Sequence, residues 1–166
     1  MGSQTIPAVR PRREPWPSKA RFAMLLAPAA LLIALCALLM GPVPQPLAYH
    51  QFHDARELLG IPNFWNVGSN LPFLVIGGAG LTWLARASTT VPAHFARCYQ
   101  VMFAGVLLTG FGSAYYHWAP DNASLIWDRL PIAIGFMGLF AGFVAERLVL
   151  PPRPTIALLT ALSIYG

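Results

Sequence analysis

Residues 22–41 (FAMLLAPAALLIALCALLMG) contain no charged side chain, and no other feature limits the fold of the chain so strongly. A helix rising 1.5 Å per residue crosses the hydrocarbon of a bilayer in about 20 residues, so one spanning helix fits this run. A basic stretch followed by an apolar one is also the form of a cleaved leader. Two points argue against that form here. The run exceeds the roughly 7–15 apolar residues of a leader, and no small-x-small cleavage site follows Met40.

Four further apolar runs follow, at about 64–85, 97–116, 129–149 and from Pro154 onward. The expected fold is therefore all-α, a polytopic transmembrane helix bundle with about four complete spans. The run at 154–166 reads as the start of a fifth, and the sequence as truncated, because about 20 residues are needed to cross. Composition agrees: 56% of residues are hydrophobic and 10% charged, against roughly 25% charged in soluble domains. Residues 1–21 carry Pro7, Pro11, Pro15 and Pro17 among basic side chains and have little to bury. They read as a disordered tail, leaving 22–166 as the transmembrane domain.

The net charge of +5 does not mark a nucleic-acid binder, because Arg10, Arg12, Arg13, Lys19 and Arg21 all precede the first run. Arg86, Arg97, Arg147 and Arg153 fall in alternate connections. Arg56, Asp54, Glu57 and Asp121 occupy the others. The positive-inside rule then places the N-terminus in the cytoplasm, as for a multi-pass protein of a bacterial inner membrane, and loops 42–62 and 117–128 on the opposite side. Cys36 and Cys98 have no ligand spacing and imply neither a disulfide framework nor a thiolate site.

Chemistry concentrates in residues 110–131, GFGSAYYHWAPDNASLIWDRLP. Ser113 and His117 stand four apart and share a helix face, with Thr109 one turn back. His117 closes the third span and Asp128 opens the fourth, across a short loop at 118–127, so both sit at the same membrane face. An imidazole is a good zinc ligand, a carboxylate beside it can take a proton from activated water, and a hydroxyl can support an oxyanion. Plainer readings stand beside this one. Tyr115 to Trp118 fit an interfacial aromatic belt. Asp128 fits a helix N-cap with Pro131 in the first turn. Ser113 fits a small packing residue beside Gly105, Gly110 and Gly112. His94 lies on the opposite side, and His50 and His53 lie on a loop outside the spans. Asn63, Asn66, Ser69 and Asn70, at the head of the second span, read as polar glue between helices rather than substrate contacts.

At these residues the chain resembles the alkaline ceramidase family, within the seven-helix membrane hydrolases that include the adiponectin-receptor type. Three features match in order: Trp65-Asn66-Val67-Gly68-Ser69-Asn70, Gly110-x-x-Ser113-x-x-x-His117, and Asp128 eleven residues further on. The match covers about residues 49–150 and looks closest to bacterial members, and span 22–41 looks like an added helix. The resemblance implies a zinc-dependent amidase that splits the N-acyl bond of ceramide-like membrane lipids into a sphingoid base and a fatty acid. It implies that His117 ligates zinc, Ser113 supports the reacting oxygen and Asp128 handles the proton. Two further histidines, as His-x-x-x-His on the last helix, are then expected beyond Gly166, and the 166-residue form is expected to be inactive. Asn63 stands where the eukaryotic enzymes carry a calcium-binding Glu. Only Asp54 and Glu57 remain upstream, too few for the 6–8 oxygens that Ca²⁺ takes, which argues against calcium. The rival expectations are a non-enzymatic membrane receptor or sensor and a transporter of the same helical architecture.

Overall fold

The computed structural model describes residues 44–86, 91–148 and 150–165, with helical backbone also at positions 28, 31, 35 and 39. The tail 1–21 and the rest of span 22–41 lie outside the described residues. Among the described residues the elements are helical and no strand is present. A 3₁₀ turn at Leu47–His50 is followed by α1 (Phe64–Gly68), α2 (Leu71–Arg86), α3 (Ala93–Trp118), α4 (Asn122–Arg147) and α5 (Pro152–Tyr165). The all-α expectation holds. Among the described residues, two stretches, Phe64–Arg86 and Asn122–Arg147, are long and apolar enough to cross a membrane.

The largest correction concerns the start of α4. Asp128 does not open this helix and is not its N-cap. The cap is Asp121, whose carboxylate accepts from the Ser124 amide at 2.6 Å, while the Ser124 hydroxyl accepts from the Asp121 amide at 3.0 Å. This reciprocal pair satisfies two end groups of the helix at once. The connection from α3 is therefore only Ala119–Asp121, shorter than the expected loop 118–127, and Asp128 stands well inside α4. Pro131 also sits in the helix interior rather than its first turn.

Pro131 has a visible consequence. Its missing N–H leaves the carbonyl four residues back, that of Trp127, without its helical donor. A methyl group added to Gly112 of α3 would collide with that same Trp127 oxygen. The two helices thus touch backbone to backbone where the proline frees an acceptor, a geometry that suits a Cα–H···O contact. Further along the same seam, a Cβ on Gly105 would meet Gly135 at 2.5 Å, and one on Gly138 would meet the Met102 amide nitrogen at 2.7 Å. On the other face of α3, a Cβ on Gly77 of α2 would meet Leu107 at 2.5 Å. Small residues let helices approach closely where apolar burial provides little driving force.

The surface is apolar and the interior small and partly polar. Val75, Ile76 and Trp83 of α2, Phe111 of α3 and Phe136 and Phe143 of α4 are exposed, whereas Thr109, Ser113, Ser124 and Thr155 are buried. Thr109 donates to the Gly105 carbonyl at 2.8 Å, and Thr155 to Pro151 at 3.0 Å, so burial of these hydroxyls is compensated.

Residues 44–63 form a strap ahead of α1. It contains a tight turn in which the Leu58 and Ile61 backbones exchange hydrogen bonds at 3.2 and 2.9 Å. Leu59 and Gly60 both adopt left-handed backbone, φ 56° and 73°. Gly60 does so freely, but a leucine there costs about 1–2 kcal/mol.

Two outcomes are expected from denaturation of purified protein in detergent. Gly112→Ala forces the α3–α4 seam apart and destabilises by roughly 1–3 kcal/mol, the usual range for overpacking. Leu59→Asn relieves the turn and raises the melting temperature, since Asn tolerates this conformation.

Candidate functional site

The C-terminal end of α3 and the N-terminal end of α4 meet beneath the strap, and the sequence-derived residues take defined places there. Ser113 is buried on α3, one residue from the Gly112–Trp127 contact. His117 follows one turn later, in the last turn of α3. Asp128 lies on α4 at the level of Gly112, where a Cβ on the glycine would stand 3.4 Å from the Asp128 amide nitrogen. Its carboxylate is within electrostatic reach of both His117 and Tyr116. The seam thus brings Ser113, His117 and Asp128 to one end of the helix pair, partly buried. His94 is at the opposite end of α3, against Phe95.

The His117 ring is enclosed. Phe52 of the strap packs against it with ring centres 4.6 Å apart, and Tyr116 stands 5.3 Å away. Asn63 donates to the His117 carbonyl at 2.8 Å, which ties the root of α1 to the end of α3. Nδ1 of His117 is buried and has no hydrogen-bond partner among the described residues. A buried ring nitrogen without a partner is costly, and a cation or a bound polar molecule relieves that cost.

A second imidazole belongs to this cluster, and sequence reasoning set it aside as a loop residue. His50 is 8% exposed. Its Nδ1 pairs with the Tyr116 hydroxyl at 3.0 Å, and its Nε2 is buried without a partner among the described residues. The signal that could have found it is the spacing His50-x-Phe52. Alternate residues of an extended segment face one way, and both rings meet Tyr116 edge-on, at 5.8 and 5.6 Å. His53, by contrast, is exposed.

The strap is fastened along its length. Gln45 and Asn122 exchange two hydrogen bonds, at 2.7 and 3.1 Å, and Arg129 donates to the Tyr49 hydroxyl at 3.1 Å. Asp54 accepts from the Trp65 amide at 3.2 Å and pairs with Arg56. Of the residues expected to glue helices together, Asn63 does join the root of α1 to α3, whereas Asn66, Ser69 and Asn70 serve this region locally. Asn66 donates to the Asp54 carbonyl at 3.2 Å, and Asn70 and Ser69 both donate to the Asn66 carbonyl at 2.8 Å. They close the α1–α2 junction and hold the strap to it.

As a cation site the arrangement is partial. His117 offers an unpartnered imidazole nitrogen of the type zinc takes, and Asp128 a nearby carboxylate. Among the described residues, no group of three or more His, Cys, Asp or Glu side chains converges, whereas catalytic zinc usually has three protein ligands. The residues present fit one position of such a sphere and a proton acceptor beside it. No family model, curated protein or solved structure matches the chain.

The Arg56 guanidinium beside Asp54, helped by the Trp65 amide, holds the Asp54 carboxyl below its ordinary range despite opposing desolvation. A depressed folded value contributes stability above the unfolded pKa and loses it as pH falls through the folded one. The strap is therefore expected to stay fastened at neutral pH and to loosen below about pH 4. Faster hydrogen exchange at the Phe64 and Trp65 amides reads this. Unchanged exchange between pH 6 and 3, after correction for intrinsic rates, contradicts it.

Proposed function

We propose that this protein is a multi-pass membrane hydrolase, a zinc-dependent amidase that cleaves the N-acyl bond of ceramide-like lipids. The reading assigns His117 to the metal, Ser113 to the reacting oxygen and Asp128 to the proton. The observation that carries it is the buried, unpartnered Nδ1 of His117, set at one end of the α3–α4 seam together with Ser113 and Asp128. The resemblance of residues 65–70, 110–117 and 128 to alkaline ceramidases supports the same assignment.

The chemistry asked of each side chain is specific. Zinc held at such a site supplies Lewis acidity and an activated water. The Asp128 carboxylate accepts the proton released as water attacks the amide carbonyl, and returns it to the departing amine. The Ser113 hydroxyl donates to the oxygen on which negative charge develops, in surroundings where burial strengthens that bond. Phe52 and Tyr116 limit water around the His117 ring.

A lipid is the substrate class best suited to the surroundings. An apolar cleft of about 370 Å³ opens between α2, α3 and α4, lined by Phe73, Met102, Thr109, Pro131, Phe136 and Leu139 among others. Its Thr109 lies one turn of α3 from Ser113, so an acyl chain in the cleft has its polar end directed to the site. The exposed aromatic and aliphatic side chains of α2, α3 and α4 suit a hydrocarbon environment. In this reading the N-terminus is cytoplasmic, the site opens near the outer leaflet, and the membrane is a bacterial inner membrane.

The test is release of fatty acid from N-acyl sphingoid lipids by full-length protein in mixed micelles. Chelation and His117→Ala are expected to abolish turnover, and the variant to lose bound zinc. Asp128→Asn is expected to lower kcat by about 10²–10⁴ and Ser113→Ala by about 10²–10³. Zinc retained with no turnover on any acyl-amide or acyl-ester lipid points instead to a receptor or sensor. Zinc-free protein with turnover unchanged in His117→Ala rules out the assignment.

A further inference from the structure

We infer that residues 56–64 form a preformed finger whose apolar tip, Leu58 and Leu59, inserts into the lipid surface beside the head of α1. Three observations converge on the finger. Its tip is a two-residue turn closed by paired Leu58–Ile61 hydrogen bonds. Its neck is closed where the Phe64 amide donates to the Arg56 carbonyl at 3.0 Å, with Asp54 accepting from Trp65 just behind. The whole unit is therefore shaped before it meets any partner.

The residue at the tip is poorly suited to its own backbone. Leu59 is held at φ 56° and is 92% exposed, with Leu58 beside it 42% exposed. Gly or Asn takes this conformation with less strain, so the leucine is explained neither by the turn nor by contacts with the described residues. A lone exposed leucine needs no explanation. An exposed leucine in a strained conformation, at the end of a braced turn, points to an apolar partner outside the chain. The finger leads directly into Phe64–Arg86, one of the two stretches able to cross a membrane, and Trp65 at its root is exposed as well. Such a position is where an aromatic and aliphatic group meets the headgroup–acyl boundary.

The charges set the depth. Glu57 is exposed directly before the tip, and Arg56, paired with Asp54, is exposed at the neck. Both remain among headgroups while Leu58 and Leu59 reach the upper part of the chains. The partner is thus the bilayer interface, and the insertion is shallow. Directly behind the finger, Asp54 of the strap is held to α1 by the Trp65 amide and the Asn66 side chain.

This inference rests on reading 64–86 as a membrane span, and the experiment separates the two. In full-length chain carrying Cys36→Ser and Cys98→Ala, an environment-sensitive fluorophore is attached at Leu59→Cys, Val75→Cys or Gln51→Cys. All three positions are exposed, so the fold tolerates the label. The proteins are reconstituted in vesicles of phosphatidylcholine with a minority of phosphatidylglycerol. Nitroxide near the headgroups is expected to quench position 59 more than nitroxide near the chain ends, with the reverse at 75. Iodide is expected to quench 59 several-fold less than 51. Iodide quenching at 59 equal to that at 51, with 75 still quenched by deep nitroxide, overturns the finger and leaves the span. Iodide access at 75 without nitroxide quenching overturns both.

Discussion

The contact between Gly112 and the Trp127 carbonyl governs the geometry around it. No side chain fits between α3 and α4 at this level, so the two backbones come together there and the positions flanking them are set. Ser113 follows the glycine directly, Asp128 follows the tryptophan, and His117 stands one turn onward. Pro131 contributes from a distance, because it deprives the Trp127 oxygen of its helical donor and leaves it available to the neighbouring helix. A glycine, a proline and a carbonyl thereby fix the spacing of Ser113, His117 and Asp128.

Around that seam the usual arrangement of a water-soluble protein is inverted. Large apolar side chains point outward and hydroxyls lie within, and those of Thr109, Ser124 and Thr155 donate to a carbonyl of their own helix or its immediate approach. Helices held in this way depend on close backbone approach more than on burial of bulky groups. The strap is different in kind. It is polar, irregular and fastened by side chains, and buried backbone groups in an irregular segment need hydrogen-bond partners. Asp54, Asn63, Asn66 and Asn122 supply them.

The helices were legible in the sequence because long charge-free runs leave few alternatives, and the reading of 64–85 and 97–116 as helical agrees with α1–α2 and α3. The start of α4 was misread for a definable reason. Asp121-x-x-Ser124 is a capping box with its partners in an unusual order, an acid at the cap and a hydroxyl three residues on, whereas Asp128 followed by Pro131 imitates a helix start. His50 was passed over because residues were weighed by membership of a span, and a strap folded back over the helix ends has no periodicity to announce it. The amides of Asn66 and Asn70 bond to the Asp54 and Asn66 carbonyls rather than across helices, since i,i+4 spacing shows which residues share a face and not what lies opposite. Hydrogen bonds across the strap, such as Asn63 to His117, join residues 54 apart and leave no local trace.

The fastening of the strap has a bearing on the order in which the chain is built. Gln45, Tyr49, His50 and Asn63 leave the ribosome well ahead of the groups they bind, by 54 residues for Asn63 and by 80 for Tyr49. Synthesis proceeds at roughly 5–20 residues per second, so the early segment waits for seconds with its amides and imidazole solvated. It docks only once the turn joining α3 to α4 has been made. The enclosure around His117 is accordingly a late product of biogenesis, completed by the part of the domain that was made first.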